Sequence, residues 1–167
     1  MARPFQPARF AGASAPEVQS MPYTTGQTYK KGAVLVYTAG PTGEVSEGGA
    51  DPAAIVGVSL ENADSKPGFG IGNSAAVVAT TGRVQETSVA KANRTTIYTG
   101  RGVNGGTDPT TPVLADIGKL YSILKTADGT WALDAADVAN QRARVIDIDI
   151  DNKLFFFRFL EANLAQP

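Results

Sequence analysis

From Tyr23 onward the sequence is a succession of short β-branched runs, each cut off within a few residues by Gly, Pro, Asp or Asn. No stretch sustains the apolar period of a long helix, so the pattern predicts an all-β fold built as a small sandwich or barrel. The first run is 33–38 (AVLVYT), closed by a turn over 39–43 and returning through 44–47. Residues 53–60 (AAIVGVSL) follow, entered by Asp51-Pro52. Pro52 lacks a ladder donor and so belongs at a strand's start. Residues 64–74 read as a glycine-rich loop, 75–79 and 82–90 as two further strands, and 100–112 as a long loop without apolar period.

The last third carries the strongest local signals. Residues 120–125 and 130–133 flank Asp128-Gly129, a hairpin turn pair. Residues 134–142 suit a short helical turn. A second hairpin joins 145–150 to 154–160 around Asp151-Asn152-Lys153. Strict alternation in VIDIDI puts Ile146, Ile148 and Ile150 on one face and Asp147, Asp149 and Asp151 on the other. Phe155, Phe157 and Phe159 share a face by the same rule.

An internal repeat is also legible. Gly32 and Gly118, Gly43 and Gly129, Val45 and Trp131, and Ala50-Asp51 and Ala136-Asp137 all stand 86 residues apart. After a four-residue insertion, Asn62 and Asn152 each end a third strand. Two hairpins share turn chemistry in any case, so coincidence is the competing reading. Matching backbone paths for 32–62 and 118–152 decide between them.

The residue inventory bounds the chemistry. The chain contains no His and no Cys. Serine–histidine triads, cysteine–histidine dyads and zinc–histidine hydrolysis are therefore outside its means. A net charge of −1 offers no field for nucleic acid or anionic lipid. No apolar run is long enough for a transmembrane helix, and residues 1–20 lack the apolar segment of a signal peptide, so synthesis in the cytoplasm is expected.

The remaining candidates read as structural. Counted as a calcium loop from Asp147, the sixth place is Asn152 instead of Gly and the twelfth is Arg158 instead of Glu. The interleaved isoleucines ask for a strand whose acidic face meets solvent or another subunit. Gly68-Phe69-Gly70-Ile71-Gly72-Asn73 lacks the spacing of a dinucleotide loop and reads as a surface loop with Phe69 as a contact. Lys91, Arg94 and Arg101 look like ordinary surface charge. Trp131 alternates with Leu133, which favours packing over stacking on a sugar. No catalytic residue, metal ligand or cofactor site is assigned.

Residues 1–22, rich in Ala and Pro, show no period and read as an extended arm, with 23–167 as a single β domain. Arg3, Phe5, Arg9 and Phe10 are the residues through which such an arm would meet a partner.

Several blocks together resemble the capsid decoration, or cement, proteins of tailed bacteriophages. They are Lys31-Gly32-Ala33-Val34-Leu35-Val36 with Gly43-Glu44-Val45, Asp51-Pro52 through Ser59-Leu60, Gly118-Lys119-Leu120-Tyr121 with Gly129-Thr130-Trp131, and Phe155 through Leu160. The resemblance spans roughly residues 25–160. It implies a small β-barrel or β-tulip-like domain, with a jelly roll as the alternative, and no enzymatic activity. It further implies a homotrimer on the outer surface of the virion, clamping the major capsid protein of the expanded head, with the arm along the shell. No nucleic acid and no membrane enter as partners. The alternative function is a carbohydrate-binding β module of a phage tail or secreted protein, for which Trp131, Tyr98 and Tyr121 would form an exposed platform. A carboxylate-dependent hydrolase is a third possibility, requiring two acids to converge.

Overall fold

The computed structural model describes residues 4–8, 15–24, 26–38, 43–63, 86–106 and 108–165. Almost all regular structure is β. The strands are β1 (Gln6–Pro7), β2 (Val18–Pro22), β3 (Val34–Tyr37), β4 (Val45–Glu47), β5 (Gly57–Ser59), β6 (Glu86–Lys91), β7 (Tyr98–Gly100), β8 (Gly102–Asn104), β9 (Asp108–Thr110), β10 (Leu120–Lys125), β11 (Trp131–Asp134), β12 (Ala143–Asp149) and β13 (Leu154–Phe159). Two 3-10 turns, at Leu114–Asp116 and Glu161–Asn163, are the helical content among the described residues.

The strands lie in two sheets, ordered β2-β6-β5-β3-β4 and β1-β7-β13-β12-β10-β11-β8-β9. The middle of the second sheet, β7-β13-β12-β10-β11, has the order of the first. The registers agree as well. Val34↔Val58 and Leu35↔Gly57 in the first sheet correspond to Leu120↔Arg144 and Tyr121↔Ala143 in the second, each residue 86 positions on. Single hydrogen bonds follow the same rule. Gly32 N donates to Ser59 O at 2.9 Å and Gly118 N to Val145 O at 3.0 Å. Val56 N donates to Leu35 O, and Arg142 N to Tyr121 O, both at 2.8 Å. The next ladder matches too, with Val58↔Ala90 answered by Arg144↔Arg158 and Ser59↔Val89 by Val145↔Phe157. The repeat read from the sequence is therefore carried by strand order and by these registers, but not by the hairpins. Val45 pairs with Tyr37, whereas Trp131 pairs with Lys125 and not with Ile123, so Val45 and Trp131 do not correspond.

Each unit also returns on itself. Tyr23, directly after β2, bridges in parallel to Val45 of β4. In the second unit β8, directly after β7, pairs in parallel with β11 through Leu133↔Gly102. The chain directly after the first strand of each unit thus turns back to meet the last strand of that unit's order. Among the described residues this order, used twice, is not that of a jelly roll.

The second hairpin of the repeat is tight. Thr126 N donates to Thr130 O and Gly129 N to Thr126 O, both at 2.8 Å, and Gly129 takes φ +79. That is a three-residue loop closed by a glycine in the left-handed region.

Several sequence expectations need correction. Residues 53–56 are not strand. Asp51 adopts φ +48, and Ile55 instead bridges to Leu164. The expected loop over 100–112 contains β8 and β9, turned by Gly105 and Gly106 at φ +68 and +97. These strands are short and polar, so no alternation announces them. Asp134 ends β11, and residues 135–142 are bends and irregular chain, not a helical turn, with the Asp137 carboxylate accepting from Ala139 N and Asn140 N. The alternation of VIDIDI breaks at a bulge, since Val145 faces Phe157 while Asp147 faces Phe156. The extra residue lets Val145 and Ile148 both turn toward the core, and Ile150 is left exposed. Asn62 and Asn152 do not correspond, because Asn62 accepts from Lys31 N whereas Asn152 lies in the turn after β12.

The arm boundary at residue 22 also moves. Val18–Pro22 is β2, paired along its whole length with β6. Upstream, β1 pairs with β7, and Ala8 N donates to Ile97 O at 2.7 Å. Phe5 is fully buried, its ring 4.8 Å from that of Phe157.

One hydrophobic cluster runs through both units, from Val34, Leu35 and Val58 to Tyr98, Ile123 and Phe157. Polar contacts tie the units further. Asp51 accepts from Ile123 N at 2.9 Å through its carboxylate and from Arg142 Nε at 2.9 Å through its carbonyl. Glu47 accepts from Trp131 Nε1 at 2.9 Å and pairs with Lys125 at 2.7 Å.

Candidate protein-interaction surface

The repeat makes it possible to compare the same face of two units. In the first unit the cross-strand row Val34–Val58–Ala90 is fully buried. Tyr98 from the second unit caps it, with its hydroxyl donating to Ala90 O at 3.0 Å. In the second unit the corresponding row is Leu120–Arg144–Arg158. Leu120 is half-buried and both arginines are exposed.

Arg144 and Arg158 stand directly opposite each other on β12 and β13. Like charges in that relation repel, and the pairing is unfavourable for the free protein. Arg94 joins them at a cleft of about 340 Å³, with Phe159, Leu160 and Glu161 as the other walls. Glu161 pairs with Arg94. Arg158 donates to Arg94 O at 3.5 Å. The cleft thus holds three guanidinium groups and one carboxylate, a surface suited to accept carboxylates from outside.

Beside the Leu120 end of the row lies a groove of about 600 Å³. The 3-10 turn Leu114–Asp116 forms one rim and Val138 the other. Tyr121 and Phe155 line it, with ring centroids 5.7 Å apart. Asp116 organises the turn by accepting from Val113 N at 2.9 Å and from Lys119 Nζ at 3.0 Å. Burial would push its carboxyl up, but those hydrogen bonds and one from Tyr121 outweigh it and hold the group below the usual carboxylate range.

Of the contacts expected from the sequence, Phe5 is corrected. Its ring fills the protein's own core and offers nothing to a partner. Arg3, Arg9, Phe10 and Phe69 lie outside the described residues. Trp131, Tyr98 and Tyr121 are all buried, at 1%, 0% and 7% exposure, so they form no exposed aromatic platform. The acids of VIDIDI are engaged locally. Asp149 accepts from Asn152 N at 2.9 Å and from Asn152 Nδ2 at 2.8 Å, closing the hairpin, and Asp147 accepts from Ile148 N. Arg101 braces the Asp-Gly turn through Asp128, Thr126 and Thr130. Lys91 lies over the Tyr37 ring at 5.8 Å.

Sequence reasoning missed Arg144 and Arg158. The outward position of Arg158 was legible from its alternation with the phenylalanines, but strict alternation in VIDIDI puts Arg144 on the isoleucine face, and only the bulge turns it outward. Their opposition depends on the register of β12 on β13, which the bulge shifts. No protein-family model matches the chain, and neither does any curated protein.

Proposed function

We propose that the protein is a non-enzymatic structural component that binds another protein's surface, and specifically a decoration protein of a tailed-phage capsid. In this reading it sits as a homotrimer on the outside of the expanded head and stabilises the shell against internal pressure. The observation that carries the reading is the open row Leu120–Arg144–Arg158, whose counterpart in the first unit is buried. A face that costs stability when free is explained by a partner that covers it. The lack of His and Cys removes the commonest catalytic groups, which leaves binding as the simpler role. Many copies on a symmetric lattice would turn modest single contacts into large total stabilisation. Arg3, Arg9, Phe10 and Phe69 are further candidate contacts with the shell.

The test is co-sedimentation of the purified protein with empty expanded shells of a tailed-phage major capsid protein from the same source. Saturable binding with a fixed number of copies per shell is expected, together with a higher shell melting temperature. Protein left in the supernatant at micromolar concentration would rule the reading out.

A further inference from the structure

We propose that the groove at Gly118 receives an extended, uncharged, proline-containing segment of the shell protein. The choice of the shell protein as the source rests on the functional reading above. The chemistry of the segment comes from the molecule itself.

Gly32 and Gly118 occupy the same position in the two units. Both have φ +87, and both donate to the third strand of their unit, at Ser59 and Val145. At Gly32 the space beside the backbone is taken. A Cβ there would stand 2.5 Å from Pro4 Cβ and 2.8 Å from Phe5 N, because the chain at Pro4–Phe5 runs across this glycine. At Gly118 a Cβ would meet nothing within 4 Å among the described residues. The first unit is thus covered at this point by an extended Pro-Phe segment, and the second is bare among the described residues.

The bare site is built to be covered. Six large hydrophobic residues are exposed among the described residues, and four of them, Val113, Leu114, Ile117 and Val138, stand at this groove or on the turn that forms its rim. Leu114 is 73% and Val138 78% exposed. Clustering of this kind marks an interaction site, unlike single scattered apolar residues. The rings of Tyr121 and Phe155 in the lining are themselves buried, at 7% and 1% exposure, and form the apolar floor beneath these exposed side chains. The charges at the rim, Asp116 and Lys119, neutralise each other at 3.0 Å, so nothing there calls for an ionic ligand.

A second copy of the chain is the weaker occupant. Its own Pro-Phe segment is held by the β1–β7 ladder and by complete burial of Phe5. Lending that segment to a neighbour would expose a core aromatic, a loss of several-fold to many-fold in the population of folded protein.

Two measurements test the proposal on the full chain. In the first, methyl-labelled protein is titrated with the capped peptide Pro-Phe-Gln-Pro-Ala, the sequence of residues 4–8. Shifts confined to the methyls of Val113, Leu114, Ile117 and Val138 are expected, and they should vanish in the variant Leu114→Glu/Val138→Glu. In the second, the same variant should lose at least about tenfold in shell affinity. Both substituted residues are exposed, so its melting temperature should stay within about two degrees of the parent's. Unmoved methyls at millimolar peptide, or undiminished shell binding by the variant, would overturn the proposal. A change in the oligomeric state of the free variant would assign the groove to contacts between copies and overturn the shell segment as occupant. If the parent protein itself fails to bind shells, the functional reading falls, and the peptide titration alone judges the groove.

Discussion

At the scale of single residues, the two glycines that open the repeated units separate local strain from packing. Both have the left-handed φ that an L side chain adopts at a cost of roughly 1–2 kcal/mol. Only Gly32 has main chain pressed against it. Gly118→Ala is therefore expected to cost that local strain alone. Gly32→Ala adds overpacking against Pro4 and Phe5, about 1–3 kcal/mol more. Urea denaturation of the two variants measures the difference, and equal midpoints would mean that the N-terminal segment does not lie over Gly32 in solution. The glycines themselves were legible as members of the repeat, 86 residues apart. The contact of one of them with residue 4 was not, because nothing in Ala- and Pro-rich sequence marks a segment that returns to cover a distant strand.

At the scale of elements, legibility followed local chemistry. The β10–β11 hairpin was predictable because Asp128-Gly129 supplies both a side-chain acceptor and a residue tolerant of positive φ. The triple Phe155, Phe157 and Phe159 was predictable because β13 has no bulge. Its partner β12 was misread past Val145, since one extra residue reverses which side chains face inward. β8 and β9 escaped notice because hydrogen bonding holds them, with little apolar alternation to see. The same register that hid the Arg144–Arg158 pair makes a test of it. Replacing Arg158 by Glu converts a repulsive cross-strand pair into an attractive one. The free protein should gain about 0.2–1 kcal/mol, read as a higher denaturation midpoint. If the cleft contacts a carboxylate-bearing surface, shell binding should weaken in the same variant. A variant that is less stable than the parent would show that the guanidinium groups are already satisfied in the free protein.

At the scale of the whole molecule, the repeat was visible in the sequence only as glycines and a few apolar residues at a common offset. What makes it a repeat is hydrogen-bond register, which is set by pairing across the chain. The residues filling equivalent rows have diverged, from Val58 and Ala90 to Arg144 and Arg158, because one row is internal and the other faces outward. The two units nevertheless cannot be independent. They share one hydrophobic cluster, Asp51 and Glu47 bond across between them, and Ile55 bridges to Leu164 at the far end of the chain. The N-terminal residues close the assembly, with β1 on the second unit and β2 in the first. Read as a free arm, residues 1–20 should be removable without harm to the fold. The structure predicts otherwise, because their deletion takes away Phe5, all of β1 and Val18, Gln19 and Ser20 of β2. Loss of a buried phenylalanine alone costs about 3–5 kcal/mol, a large share of the stability of a chain this size. Calorimetry of the full-length protein should give one transition with matching calorimetric and van't Hoff enthalpies. The truncated chain should melt far lower or fail to fold. A truncated protein with unchanged melting temperature would return residues 1–20 to the role of a dispensable arm.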